Sequence, residues 1–382
     1  MYTLTDYSSF IANRVRTDAY ARSLRQVLRP GGVCLDLGTG TGFFAVLACQ
    51  LGARKVIAIE PNEAIHVARD VAAANGCAQR ITFIQDLSTR VHLDERADVI
   101  VSDLRGVLPH SGHHLLSLMD ARRRLLAPGG TLIPRGDTLW AAPVEAPDQY
   151  ARAVPLAEGP IHGVNMAAVR PWVVHSWRKA RLKPEHLLAA PRQWASIDYA
   201  NLQEANVRGE AAWTVERQGI GHGLLMWFDT TLAEGVGYSN APGQPELIYG
   251  QLFFPWVEPL RLAVGDVIEV TLGADQVGAD YVWGWNSRVR EGSATGSVRA
   301  DFRQSTFFGV PLAASQLRKR AAEHRSELNE DGQIDRFILT LMDTATSSGD
   351  IARKLAQQFP RRFPDWGAAL THVADLAQRY SR

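Results

Sequence analysis

The chain has 382 residues, a formal net charge of +1, 46% hydrophobic and 21% charged residues. That length exceeds one compact core and predicts two or three domains. The near-neutral balance argues against nucleic acid or an anionic membrane as partner, since both favour basic surfaces. The opening MYTLTDYSSF lacks the basic start and apolar run of a secretory signal. No stretch approaches the roughly 18 unbroken apolar residues of a membrane helix. Cys34, Cys49 and Cys77 stand singly in apolar segments. Without metal-type spacing they read as buried reduced thiols of a cytoplasmic protein, and no metal site is expected.

In chain order, the apolar residues Ile11, Val15, Ala19 and Leu24 predict a helix over about Tyr7–Leu28, stopped by Pro30 and Gly31-Gly32. Short apolar runs follow at Val33–Leu37, Val56–Ile59, Ile81–Ile84 and Val99–Val101. Helical patterns at Phe43–Leu51 and Glu63–Asn75 separate the first three, which predicts a mostly parallel sheet with helices on both faces. Another helix is expected over Leu115–Leu126, closed by Pro128-Gly129-Gly130 before a strand from Thr131. The texture changes near Ala142. Tyr150–Ala212 is mixed, and from Trp213 to about Val298 short β-rich runs predict an antiparallel sandwich or barrel. Beyond about Phe308 the chain turns helical again.

Val33–Gly42 is the most informative stretch: an apolar strand delivers Gly38-Thr39-Gly40-Thr41-Gly42, and a helix follows at once. Glycines at 38, 40 and 42 let the backbone approach a ligand without a Cβ clash. Glu60 lies about 24 residues beyond Asp36, at the end of the next strand, near the spacing of an acid that binds both ribose hydroxyls. Asp36, ahead of the turn, would repel the pyrophosphate of a dinucleotide. It suits the cationic amine and sulfonium of S-adenosyl-L-methionine instead. Asp86 or the adjacent backbone at Leu87 is placed to meet adenine, with an exposed turn as the rival reading. Ser102 and Asp103 end the fourth strand, at the carboxyl edge where open α/β sheets bind ligands.

These residues resemble the protein arginine methyltransferase family. Val15-Arg16-Thr17 with Tyr20 resembles the family's helix before the cofactor loop, which implies that Arg16 grips the carboxylate of the methyl donor. Ser102-Asp103-Leu104-Arg105-Gly106 stands where the family has Ser-Glu-Trp-Met-Gly, and Leu125–Gly130 with Ile133-Pro134 resembles the stretch leading into its barrel. Gly163-Val164-Asn165-Met166 is similar to the dimerisation-arm Gly-Phe-Asp-Met, and Gly237–Pro242 with Gln251–Phe254 to the barrel segment. The resemblance spans about residues 7–300. It implies an α/β, Rossmann-like class I methyltransferase domain over 1–140 and a β-barrel domain over 141–305. It also implies a helical dimerisation arm at about 150–175 and a homodimer.

Two departures fall on substrate recognition. The first of the family's two loop glutamates is Asp103, and the second position is Gly112 or a neighbour; Leu247-Ile248-Tyr249 replaces Thr-His-Trp. Residues 306–382 lie outside the resemblance, with apolar helical faces at Ile334, Phe337, Ile338, Leu341 and at Ile351, Leu355, Phe359. They read as a packing appendage or as a small winged-helix module that binds leader peptides.

The expected activity is therefore methyl transfer from S-adenosyl-L-methionine to a nitrogen nucleophile on a peptide, protein or small amine, other than a typical arginine. Asp103 is the expected acceptor-orienting carboxylate, with His110, His113 or His114 as proton acceptor. The alternatives are oxygen methylation of a small metabolite and a non-catalytic, dimeric cofactor-binding regulator.

Overall fold

The computed structural model, which describes residues 3–155, 160 and 162–381, opens with two helices where the apolar pattern predicts one. Thr3 caps α1 (Leu4–Ala12) in a reciprocal capping box with Asp6. Asn13 then ends α1 and starts α2 (Arg14–Val27), its side-chain oxygen accepting from the Arg16 amide. A polar residue able to cap in both directions breaks what periodicity alone reads as continuous.

The parallel sheet follows the alternation read from sequence: β1 (Val33–Leu37), α3 (Phe43–Gln50), β2 (Lys55–Ile59), α4 (Ala64–Ala74), β3 (Ile81–Ile84), β4 (Ala97–Ser102), α5 (His114–Arg124) and β5 (Leu126–Ile133). The strand order is β3-β2-β1-β4-β5, every pair parallel. The order reverses between β1 and β4, and a crevice at such a switch point is where doubly wound sheets bind ligands. Leu37 pairs with Ser102 in register, so the loops that leave these two strands start side by side. β5 starts five residues ahead of the expected Thr131: Ala97 pairs with Leu126 and Val99 with Thr131, and a bulge absorbs Pro128-Gly129-Gly130.

Antiparallel structure begins at β6 (Gly136–Val144), ahead of the texture change near Ala142. After α6 (Pro147–Ala153) and α7 (Arg170–Val173) come β7 (Arg178–Ala180), β8 (Arg192–Asp198), β9 (Val207–Thr214), β10 (Gly219–Ala233), β11 (Val236–Ser239), β12 (Gln251–Leu262), β13 (Val267–Val277), β14 (Asp280–Arg290) and β15 (Val298–Ser305). One sheet runs β7-β12-β10-β6-β8, with β11 on β10, and the second runs β15-β14-β13-β9. Trp213, Trp256, Trp285 and Phe254 fill their core, which is continuous with that of the parallel sheet. The mixed stretch 150–212 thus already holds three strands. β9 hides because its exposed positions Arg208, Glu210 and Ala212 carry no β signature and only Ala211 and Trp213 are buried.

The expected arm at about 150–175 falls partly on residues 156–159 and 161, outside the described residues. In its described part, Asn165 accepts from the Ala167 amide, and Val164, Met166 and Trp172 are exposed.

The chain divides after Pro311. In the second unit, α8 (Ala314–Arg318) precedes α9 (Glu330–Met342), α10 (Ser348–Gln358) and α11 (Trp366–Tyr380). The last three pack Ile334, Ile338, Ile351, Leu355, Val373 and Leu376 into a separate core. Among the described residues no strand follows Ser305, so the winged-helix reading is corrected to an all-helical bundle. No helix among the described residues is long and apolar enough to cross a membrane.

Candidate active site

The glycine turn leaves β1 at Gly38 and is fastened at once to the neighbouring strand, with the Gly38 and Thr39 amides donating to the Ile59 carbonyl at 2.9 and 3.0 Å. Gly40 has φ 54°, and a Cβ there would stand 2.6 Å from the Tyr7 ring, so a side chain at this position would be strained and would displace Tyr7. Glu60 closes the turn: its carboxylate accepts from the Gly40 amide at 2.9 Å and the Asn62 amide at 3.1 Å. Burial raises the Glu60 pKa, and those two amides oppose the rise. Asp36 lies behind the turn, 1% exposed, accepting from Thr39 Oγ1 at 2.6 Å. Burial pushes its pKa up to about 7 against the pull of Thr39.

A cavity of about 570 Å³ opens over this turn. Gly38, Thr39, Gly40 and Glu60 border one end, Leu87 and Ser88 flank it, and Tyr7 and Phe10 of α1 cover it. Such a volume suits a nucleoside-sized ligand. Of the residues expected here, Asp36, Gly42, Asp86 and Ser102 do not border the cavity. Gly42 starts α3 at φ 87°, and Ser102 Oγ donates to the Leu37 carbonyl at 3.0 Å, joining the two loop-bearing strands. Asp86 accepts from the Leu87 amide at 2.7 Å, which leaves Leu87 as the residue turned to the cavity.

At the other end, a buried charge network departs from anything spacing predicts. Arg16 pairs with Asp103 through Nε and donates from Nη1 to the Phe10 carbonyl at 3.2 Å. Its Nη2 has no partner among the described residues, and Arg16 borders the cavity, so one edge of the guanidinium is left for a ligand carboxylate. Asp103 is engaged on both oxygens: Oδ2 accepts from Arg16 and the Tyr249 hydroxyl, Oδ1 from Arg105 Nε at 3.1 Å. Burial works against its ionisation, but Arg16 and Arg105 outweigh that and hold its pKa well below the usual carboxylate range.

Arg105 is fully buried, and all five of its N–H groups are donated. Nη1 reaches Asp137 at 2.9 Å and Thr230 at 2.6 Å, and Nη2 reaches the Tyr20 and Tyr238 hydroxyls at 2.6 Å each. Phe228 and Tyr238 lie under the guanidinium at 5.3 and 5.5 Å. This one side chain therefore ties the loop after β4 to α2, β6, β10 and β11.

The three histidines separate. His110 does not border the cavity; it packs edge-on against Tyr281 and Trp283, and burial lowers its pKa to about 3. His113 sits exposed at the rim, ahead of α5. His114 is 1% exposed, borders the cavity, and contacts the Tyr199 hydroxyl through Nε2 at 3.1 Å. Tyr20, Asp137, Tyr199, Tyr238 and Thr230 carry the network, and no local motif marks Asp137, Tyr199 or Thr230.

The profile of ribosomal protein L11 methyltransferases (PrmA) matches residues 17–136, and that of the arginine methyltransferase oligomerization subdomain matches 136–279. The chain belongs to the protein arginine methyltransferase family. A family relative from Arabidopsis thaliana, named as a probable protein arginine N-methyltransferase 6, is 28% identical over 247 residues, 62% of this chain and 56% of the relative. Protein arginine N-methyltransferase 6 of Xenopus laevis is 28% identical over 59% of this chain and 69% of its own. The match thus spans little more than half of the Arabidopsis relative, and 44% of one from Oryza sativa. The crystal structure of Arabidopsis thaliana protein arginine methyltransferase 10 has this fold, with a TM-score of 0.71 at 22% identity over 79% of this chain and 97% of that one. So does the Trypanosoma brucei PRMT1 enzyme–prozyme complex with AdoHcy, with a TM-score of 0.70 at 22% identity over 78% and 97%.

Proposed function

We propose that this family member is an S-adenosyl-L-methionine-dependent methyltransferase, acting on a nitrogen nucleophile of a peptide, protein or small amine other than a typical arginine. The cofactor half of the reading is supported by the glycine turn, Glu60 and the free edge of Arg16 on one cavity. Glu60 would accept from the ribose hydroxyls, Arg16 would hold the donor carboxylate, Leu87 would flank the adenine, and Asp36 would act on the donor's cationic end through the turn. When bound, the donor supplies an electrophilic methyl on a sulfonium. The protein's part is to align the acceptor lone pair with it.

The acceptor half rests on one observation. Of the acidic side chains bordering the cavity, Glu60 is tied to the glycine turn and Asp103 to two arginines. Lys179 of β7 borders the same cavity. A guanidinium is cationic at any physiological pH, and among the described residues no bordering carboxylate is left to compensate it. The division into a nucleotide domain, a β-domain with a dimerisation arm and a helical extension, in a cytoplasmic homodimer, is part of this reading.

Incubation with labelled methyl donor and a lysate of the source organism, followed by mass spectrometry of labelled species, tests it. Label on a non-arginine nitrogen supports the reading, while a base-labile ester points to oxygen methylation. Donor binding with no transfer to any acceptor leaves a non-catalytic regulator.

A further inference from the structure

Lys179 is the charge in this cavity that the fold leaves unanswered. Of the arginine and lysine side chains bordering the space, Arg16 and Arg105 are paired with Asp103, and Lys179 forms no ion pair among the described residues. Glu246, the acid that acts on it, is itself held by Arg181 at 2.6 Å. Partial burial and Arg181 lower the Lys179 pKa against the pull of Glu246, so its charge is under-compensated in the free protein.

The fold fixes where that charge stands. Lys179 of β7 lies opposite Leu252 of β12, and its stem crosses Gly250, φ 64°, where a Cβ would stand 2.9 Å from Lys179 Cε. The missing side chain opens the path along which Lys179 Nζ donates to the Ile248 carbonyl. Tyr249, the next residue, borders the cavity and gives its hydroxyl to Asp103. The ammonium thus rests on the loop that closes the Asp103 end. Ile248 takes one of its three N–H donors, which leaves two for a ligand. A bound methyl donor, with two cationic groups and one carboxylate, adds to the positive field at this end.

We propose that Lys179 sets acceptor specificity by holding a carboxylate of the acceptor, and that the acceptor is an acidic peptide, in which an aspartate or glutamate side chain flanks the methylated nitrogen. This rests on the transferase reading above and narrows its acceptor. Lys179 is exposed, whereas the Asp103 side chain is buried. The carboxylate it meets therefore belongs to a part of the acceptor outside the reacting end, as a neighbouring side chain along a peptide does. With Glu60 and Asp103 engaged, a flanking cation finds no free carboxylate and meets Lys179 as a like charge, which rejects it.

The test joins a kinetic readout to one that needs no turnover. Three C-terminally amidated peptides share a central histidine and asparagine and differ in their flanks: aspartate, alanine, or trimethyllysine, a fixed cation with no nitrogen lone pair. Wild-type kcat/KM should favour aspartate over trimethyllysine flanks by about tenfold or more, through KM with kcat within about threefold. The preference should shrink as salt rises from about 0.05 to 0.5 M. Lys179→Met should cut it by at least about threefold, and Lys179→Glu should invert it, with S-adenosylhomocysteine affinity within about twofold of wild type in both. A merely structural lysine gives no inversion. The chain has five lysines, so ¹³Cε spectra of lysine-labelled protein resolve Lys179 by difference against Lys179→Met. With S-adenosylhomocysteine present, the aspartate peptide should raise its titration midpoint, and the trimethyllysine peptide should not.

A Lys179 titration unmoved by the aspartate peptide overturns the proposal, whether or not label is transferred. A preference for the trimethyllysine peptide, or a preference that Lys179→Glu leaves in place, overturns it alone. A wild type that binds no S-adenosylhomocysteine in calorimetry overturns the transferase reading and this proposal together.

Discussion

Replacing Arg105 with methionine tests whether the buried network holds the site together. The substitution keeps the apolar stem but removes five donated hydrogen bonds and two ion pairs, to Asp103 at 3.1 Å and Asp137 at 2.9 Å. Asp103 keeps Arg16 and Tyr249 as partners, whereas Asp137 keeps only the Tyr199 hydroxyl. Breaking a buried pair by removing one partner costs about 3–5 kcal/mol, most of it from the charge left behind. For a unit this large, each kcal/mol moves the melting point by roughly 2 °C, so Arg105→Met should melt roughly 6–10 °C below wild type in a thermal-shift assay. Arg105→Met with Asp137→Asn removes the stranded charge and should recover about half of that loss. A single variant melting within about 2 °C of wild type, or a double variant less stable than the single, would refute the account of a paired internal network.

Three further outcomes are expected. Glu60→Ala should weaken S-adenosylmethionine and S-adenosylhomocysteine alike by at least about tenfold, because hydrogen bonds to a charged group contribute about 1.5–3 kcal/mol; calorimetry that finds equal affinities removes Glu60 from the site. Ionised Asp36 favours a cation in the cavity, so donor affinity should rise between about pH 6 and 8, with proton release read as a buffer-dependent binding enthalpy. In the ligand-free protein the sign is opposite: its pKa is raised from 3.8 to about 7, so its stabilising contribution is full below 3.8 and is lost as pH rises through about 7. Deleting the segment from Val154 to Val173 should convert a two-fold dimer to monomer in light scattering and abolish transfer; a wild-type monomer with full activity contradicts the assembly.

What the sequence made legible was local. The glycine turn, Glu60 and the β–α alternation each lie within a few tens of residues, where strand and turn patterns carry direct information. The contacts Arg16–Asp103, Arg105–Asp137, Tyr199–Asp137 and His114–Tyr199 join residues 87, 32, 62 and 85 positions apart, and no spacing encodes them. Asp103 could be singled out from its place after β4, but its pairing with Arg16 depends on α2 folding back over the sheet. The three histidines looked alike in sequence. Packing alone separates the one walled in by Tyr281 and Trp283 from the one bordering the cavity. Boundary errors have the same origin: Asn13 caps two helices at once, and a bulge carries Pro128-Gly129-Gly130 into β5.

On the proposed reading the acceptor end is closed to a guanidinium. The most direct test of that reading is a competition in one tube: tritiated methyl donor, wild-type protein, a glycine-arginine-rich peptide, and an equimolar peptide in which histidine and asparagine replace every arginine. The account predicts label on the arginine-free peptide in excess of the other by about tenfold or more, the counterpart of a guanidinium facing no free carboxylate. Preferential labelling of the arginine peptide, abolished by Asp103→Ala, would contradict it.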